Sequence, residues 1–133
     1  MQGILDNLAT RYQIPVTPAG IGWNLQLPSR GDFVCALDVG PEALEWYASV
    51  LHQADGHKVW TDWMDYRNYD DGSEQQLLDD KRRDLAWFLE AWFTATAIRV
   101  ARLPRLWGLA HSTRVEWNHA GTWQPLQMHD PHR

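Results

Sequence analysis

A regular alternation of apolar and polar residues is the feature that most limits how this chain can fold. It is present over residues 21–27 and again over residues 33–39. A period of two places successive side chains on opposite faces of a β-strand, so each run predicts a strand with one face in the core. The residues between them, Pro28-Ser29-Arg30-Gly31, are typical of a turn. The two runs therefore predict an antiparallel hairpin.

A helical stripe in the second half of the chain is the next constraint. Its apolar members have spacings of three, four and seven: Leu78, Leu85, Phe88, Leu89 and Trp92. The opposite face carries charged residues: Asp79, Lys81, Arg82, Arg83 and Glu90. Ser73 and Gln76 form a capping box at the start. We predict a helix over about residues 73–94, then a strand rich in β-branched residues that ends at Pro104 at the latest.

The remaining segments predict a short helix and further hairpins. Apolar residues at helical spacing in the first dozen residues indicate a helix that Pro15 and Pro18 end. Residues 42–53 suit either the first turns of a helix or a strand, but Asp55-Gly56 is a strong hairpin signal. We therefore predict strand, hairpin and strand across residues 44–66. Residues 114–117 and 122–124 flank a last turn, and residues 129–133 are expected to be a frayed tail.

These elements predict a single α+β domain spanning residues 1–133. The expected architecture is a mainly antiparallel sheet with the long helix packed on one face and the short helix at the N-terminus. The 133 residues suit one hydrophobic core. We expect neither a signal peptide nor a membrane span, which needs about 18 apolar residues. The lone Cys35 is predicted to be a buried strand residue, and a single cysteine cannot form an intramolecular disulfide, which fits a reducing compartment. Together these features predict a soluble, cytoplasmic protein.

The sequence offers no competent active site. Neither His52 and His57 nor His129 and His132 join a second ligand pair at zinc spacing, and there is no nucleophile elbow or glycine-rich phosphate loop. Asp62 and Asp65 are three residues apart, so on a strand they face opposite sides of the sheet and cannot share acid–base work. We therefore expect no catalytic residues, no metal and no cofactor.

The charge of the chain is concentrated in one aromatic segment. Residues 55–80 contain eight carboxylates against Lys58 and Arg67, a sum of −8 + 2 = −6, whereas the whole chain carries −5. The negative electrostatic field of this segment would attract a positively charged partner, and its aromatic rings would supply buried contact area. The predicted partner-binding residues are Trp60, Asp62, Trp63, Asp65, Tyr66, Tyr69, Asp70 and Asp71. Strand alternation indicates that either Trp60 or Trp63 faces the core.

The same charge argues against a nucleic-acid partner, because nucleic-acid binders usually present a basic face. The most basic cluster is Arg99, Arg102 and Arg105. We interpret this cluster as a solvated face of the domain.

One segment resembles a family of bacterial proteins. The run Lys58-Val59-Trp60-Thr61-Asp62-Trp63-Met64-Asp65-Tyr66, an acidic turn and then Ser73-Glu74-Gln75-Gln76 opening a helix is similar to immunity proteins of polymorphic toxin systems, of the contact-dependent inhibition and Rhs type VI effector kinds. The resemblance implies a cytoplasmic antitoxin without catalysis of its own. It would bind a cognate secreted toxin domain and either cover its active site or block its approach to substrate.

Two other classes of function fit the same features. A secretion-effector chaperone or another acidic adaptor would also be a small, negatively charged α+β protein. A small ligand-binding enzyme would use an aromatic-lined pocket. The sequence leaves open the chemistry of the toxin, whether inhibition is direct or allosteric, and whether the protein associates with itself.

Overall fold

The computed structural model describes residue 7 and residues 9–20, 22–40, 45–65, 74–105 and 110–128, with the side chains of residues 64, 65, 74, 75, 77, 78, 103–105 and 110–112 excepted. Within these ranges the chain forms a short helix α1, helical at residue 7 and over residues 9–12, and a long helix α2 (Glu74–Thr94). The strands are β1 (Val16–Ala19), β2 (Gly22–Arg30), β3 (Phe33–Val39), β4 (Glu45–His52) and β5 (Lys58–Asp65) before α2, and β6 (Ala97–Arg105), β7 (Ala110–His119) and β8 (Thr122–Pro125) after it.

The five strands before α2 form one antiparallel sheet in the order β1-β2-β3-β4-β5. Leu25 pairs with Leu37 across the predicted first hairpin, and both are fully buried. The predicted strands on either side of Asp55-Gly56 are also confirmed, since β4 pairs with β5 and residues 45–52 are not helical. Gly56 has a φ of 73°, a value that glycine adopts without strain. Asp55 closes this turn by accepting a hydrogen bond of 2.9 Å from the backbone N–H of His57.

The predicted turn at residues 28–31 is wrong in its position. Strand β2 continues to Arg30, and the turn lies at Gly31 and Asp32. The pairing register shifts between Leu27 and Arg30. This irregularity accommodates Pro28, which has no N–H to donate to a regular ladder.

Two other prolines lie inside strands, where the sequence predicted that they would end an element. Pro18 belongs to β1, a strand that the sequence did not predict, and Pro104 pairs with His111 inside β6. Both strands lie at the edge of their sheets. An edge strand tolerates proline because one side of it needs no ladder donors.

The predicted α+β class is confirmed, but the strands are divided between two sheets. Strands β6, β7 and β8 form a second antiparallel sheet in that order. The predicted last hairpin joins β7 to β8 through Ala120 and Gly121, whose φ values are 52° and 84°. The Asn118 side chain accepts a hydrogen bond of 3.0 Å from the backbone N–H of Gly121.

Helix α2 supplies the core that joins the two sheets. Leu85, Phe88, Leu89 and Trp92 of the predicted stripe are fully buried. The Phe88 ring lies 5.5 Å from the Trp46 ring of the first sheet and 5.7 Å from the Trp117 ring of the second, between ring centroids. Removing such a buried ring typically costs about 3–5 kcal/mol of stability. Phe88 therefore lies at the centre of the core.

The predicted exposure of Lys81 is wrong. Lys81 is fully buried, because it lies four residues before Leu85 and so on the core-facing stripe of α2. Asp84, three positions along the same helix, is also fully buried and carries the opposite charge. Asp79, Arg83 and Glu90 are exposed as predicted, and Arg82 is half-buried.

The C-terminus of α2 is held by an arginine from another element. The last turn of the helix contains no basic residue. Arg30, at the end of β2, donates hydrogen bonds of 3.0 Å to the Trp92 carbonyl and 2.9 Å to the Phe93 carbonyl. The Trp92 indole N–H in turn donates to the Pro28 carbonyl at 2.9 Å. A guanidinium there satisfies exposed carbonyls and opposes the negative end of the helix dipole.

Cys35 is a fully buried residue of β3, as predicted. Burial raises the pKa of its thiol well above the ordinary value, which makes it a poor nucleophile. Of the helices in the described ranges, none is both long enough and apolar enough to cross a membrane.

Candidate functional site

Strand β5 places the two tryptophans of the predicted site on opposite faces of the first sheet. Trp60 pairs with buried Val50, and its ring stacks on Phe88 at 6.4 Å with an interplanar angle of 9°. Trp63 pairs with Tyr47 on the outer face and is 46% exposed. The sequence showed that one tryptophan had to face the core. The structure identifies Trp60 as that residue and leaves Trp63 in contact with solvent.

Tyr47 and Trp63 form an exposed aromatic pair. They lie directly opposite each other on β4 and β5, with ring centroids 5.9 Å apart, and Tyr47 is 48% exposed. Among the described large hydrophobic residues, only Val100 is comparably exposed. The sequence analysis missed Tyr47. Its signal was the alternation of β4, because a buried Trp46 requires Tyr47 to point outward.

Polar side chains surround this pair on the outer face of the first sheet. The Asn24 amide donates to Asp38 at 2.8 Å, and the Gln26 amide donates to Asn24 at 2.6 Å. The hydroxyls of Ser49 and Thr61 lie 3.4 Å apart across β4 and β5. These bonds, two between neighbouring strands and one within β2, hold the polar groups in fixed positions beside the rings.

Two exposed carboxylates lie near the aromatic pair. Asp38 is directly opposite Tyr47 on β3, and Asp62 is adjacent to Trp63 on β5. Asp62 accepts a hydrogen bond of 2.8 Å from the Trp63 backbone N–H, and the Asn24 amide is the donor to Asp38. Neither donor carries a charge, so these bonds leave the negative charge of both groups in place. Tyr47, Trp63, Asp38 and Asp62 are called the aromatic–acidic patch below.

The patch continues around the edge of the sheet. Asp62 pairs with buried Ala48 and so lies on the same side of β5 as Trp60, whereas Trp63 lies on the other side. Because β5 is the last strand of the five-stranded sheet, both sides of it meet at that edge. A partner at this edge can reach Asp62 from one side and Trp63 from the other.

Several predicted site residues lie outside the described part of the chain. These are Tyr66, Tyr69, Asp70 and Asp71. For Asp65 the backbone is described, and it pairs with Glu45 at the start of β4. All five remain predicted partner-binding residues.

Arg99, a basic residue of β6, is engaged by the protein itself. Glu116 on β7 is 2% exposed and accepts hydrogen bonds from Arg99 at 2.8 Å and from Arg114 at 3.0 Å. The Arg99 hydrogen bond is the main cause that lowers the pKa of the Glu116 carboxyl below its ordinary value. The Arg99 guanidinium also lies 4.1 Å from the centroid of the Trp123 ring. Arg102 is exposed, and the Arg105 side chain lies outside the description.

The described residues contain no cluster of three or more histidine, cysteine, aspartate or glutamate side chains that could hold a metal ion. The His52 and His57 rings stack on each other at 6.3 Å near the β4–β5 turn, a local packing contact. No protein-family model, curated protein or solved structure matches the chain.

Proposed function

We propose that this chain is an immunity protein, which binds a cognate secreted toxin domain and neutralises it through the aromatic–acidic patch. The observation that carries the proposal is the exposed pair Tyr47 and Trp63 beside two carboxylates with neutral hydrogen-bond donors. Residues 58–66 and the start of the helix after them resemble immunity proteins of polymorphic toxin systems, and this resemblance supports the same role.

The arrangement of rings and charges suits tight protein binding. Interfaces of standard size bury about 1,600 Å² in total, and a few tyrosine, tryptophan or arginine residues supply most of their binding energy. Tyr47 and Trp63 are held by a packed sheet, so little conformational entropy is lost when a partner covers them. The carboxylates add long-range attraction to a basic surface and so raise the association rate.

Direct occlusion is the mechanism that these features favour. A toxin domain that acts on nucleic acid or nucleotides has a basic cleft for its substrate phosphates. Asp38 and Asp62, with the acidic segment after β5, present carboxylates that can occupy such a cleft in place of phosphate. The aromatic rings then exclude water from the contact.

Co-expression with a candidate cognate toxin domain tests the proposal. Wild-type protein is expected to restore growth, and Tyr47→Ala with Trp63→Ala is expected to lose rescue and at least about 100-fold in affinity. Val100→Ala removes a comparably exposed apolar residue from the other sheet and is expected to rescue fully. Asp38→Asn with Asp62→Asn should mainly slow association, with a weaker dependence on salt.

Two results would contradict the proposal. Rescue by the Tyr47 and Trp63 double variant at wild-type strength would show that the patch is not the toxin-binding surface. Binding that leaves the toxin fully active would contradict the immunity role and favour an effector chaperone instead.

A further inference from the structure

A shallow cleft lies at the end of the first sheet, next to Tyr47. It has a volume of about 210 Å³ and lies where β2 begins, β3 ends and β4 begins. Two aromatic and two acidic residues line it: Trp23, Tyr47, Asp38 and Glu45. None of the lining residues other than these carries a charge.

Two glycines allow the chain segments beside this cleft to pack closely. A Cβ atom on Gly22 would collide with the Val39 carbonyl oxygen of the neighbouring strand, and one on Gly40 would lie 3.1 Å from the Glu45 Cγ atom. The backbone N–H of Gly40 also donates a hydrogen bond of 2.9 Å to the Glu45 carbonyl, which fixes the start of β4 against the end of β3. Hydrogen-bonded strands therefore form this side of the cleft, so the cleft exists before a partner binds.

The size of the cleft limits its occupant. Sites for drug-sized ligands measure about 300–1,000 Å³, and one water occupies about 30 Å³ of liquid. A volume of about 210 Å³ thus suits one long side chain. The described residues also bring no third carboxylate, histidine or cysteine to Asp38 and Glu45 to form a metal site.

The chemistry of the lining selects a planar cation. Aromatic faces attract cations, and arginine stacks on them more often than lysine does. Carboxylates accept paired hydrogen bonds from a guanidinium, which presents its donors in a fixed fork. Asp38 and Tyr47 are directly opposite in the β3–β4 register, so a ring and a carboxylate are adjacent in the cleft. A lysine ammonium group would be attracted by the carboxylates but could not stack on an aromatic ring.

We propose that this cleft is a specificity pocket that receives one arginine side chain of the protein partner. The guanidinium stacks on the Tyr47 ring and pairs with Asp38 and Glu45, whereas Trp23 lines the cleft from the side of the core, against which it packs. This inference rests on the proposed function and adds the residue type that the partner must present next to the aromatic–acidic patch.

The test uses a free arginine analogue and so needs no toxin. Nα-acetyl-arginine methylamide is titrated into ¹⁵N-labelled protein while the indole N–H signal of Trp23, assigned with Trp23→Phe, is followed. A saturable shift with a dissociation constant on the order of millimolar is expected. The uncharged citrulline analogue of the same shape should give no saturable shift, and the lysine analogue should bind at least about fivefold more weakly.

Matched variants separate the pocket from general charge. Asp38→Asn with Glu45→Gln is expected to weaken arginine binding at least about tenfold. Asp32→Asn with Asp55→Asn makes the same change in net charge at the opposite end of β3 and β4 and should change binding less than about twofold. Any of three results would refute the proposed pocket. These are the absence of a saturable shift with the arginine analogue, an equal shift with the citrulline analogue, and an equal loss of arginine binding in both double variants. Equal binding of lysine would overturn the assignment to arginine.

The growth assay distinguishes failure of the pocket from failure of the function. If the Asp38 and Glu45 variant loses arginine binding but still neutralises the toxin at wild-type affinity, the pocket is not used by the partner and the immunity role stands. If wild-type protein binds arginine but never rescues growth, the immunity role is wrong. In that case the cleft still binds arginine, but the proposal that a toxin supplies this arginine is refuted.

Discussion

Replacing Arg30 with methionine should destabilise the protein far more than its place at a strand end suggests. The change keeps most of the aliphatic stem and removes the guanidinium. Both hydrogen bonds to the Trp92 and Phe93 carbonyls are lost, together with the cation–π contact to the Phe93 ring at 5.5 Å. The last turn of α2 contains no basic residue of its own that could take over from the guanidinium in opposing the helix dipole.

The expected loss of folding stability in Arg30→Met follows from these two hydrogen bonds. A hydrogen bond from a charged donor contributes about 1.5–3 kcal/mol. Arg30 is half-buried, so water can replace part of each bond and the lower limit applies. Two bonds at that limit give about 3 kcal/mol, which corresponds to a fall in Tm of roughly 10 °C for a domain of this size. The cation–π contact between Arg30 and Phe93 is left out of this sum, so about 3 kcal/mol is a lower limit for the loss of stability.

Urea unfolding followed by tryptophan fluorescence measures this loss, and Arg83→Met is the matched control. Arg83 is exposed on the same helix, so its replacement should change the free energy of unfolding by less than about 0.5 kcal/mol. An unchanged m value would confirm that both variants unfold from the same native state. If Arg30→Met were as stable as Arg83→Met, capping of α2 by Arg30 would contribute nothing, and this reasoning would be refuted.

Two further predictions concern the sheets. Trp60→Ala should cost at least about 2 kcal/mol because it removes the ring stacked on Phe88, whereas Trp63→Ala should cost about 0.2–1 kcal/mol, the range for an exposed cross-strand pair. Equal urea midpoints for the two variants would contradict the assignment of faces. Glu116→Gln should be less stable than wild type at pH 7. The folded-state pKa of Glu116 is lowered, so wild type loses this contribution as the pH falls from 4.5 through that pKa. The difference in unfolding free energy should therefore narrow between pH 7 and pH 3, and an unchanged difference would contradict the role of its two arginines.

Hairpins and the long helix could be predicted because their signals are local. Alternation in residues 33–39 and the Asp55-Gly56 turn depend on neighbours in the chain, and the stripe from Leu85 to Trp92 depends on one helix period. The predicted turn at residues 28–31 failed because proline and glycine occur both in turns and in irregular strands. Whether Pro28 ends a strand depends on the partner strand, which local sequence does not specify.

The candidate site was predictable only in part, for a related reason. The acidic and aromatic content of residues 58–65 is visible in the sequence, but Tyr47 and Asp38 come from two other strands. They join Trp63 through the register of β3, β4 and β5. By contrast, the exposure of Lys81 was mispredicted because its charge was taken to indicate the solvent face, although Lys81 lies four residues before Leu85 on the buried stripe of α2.

The sequence by itself determined the long helix and most of the strands, although not β1. It also determined where the negative charge is concentrated and that one of Trp60 and Trp63 had to be internal. Tertiary structure alone decided that Trp60 is the internal one, that Arg30 caps a helix more than sixty residues away, and that Trp23, Asp38, Glu45 and Tyr47 share one cleft. The physical reason is the range of the interactions. Periodicity and turn chemistry act between chain neighbours, whereas register, sheet division and burial are fixed by contacts between segments that are distant in sequence.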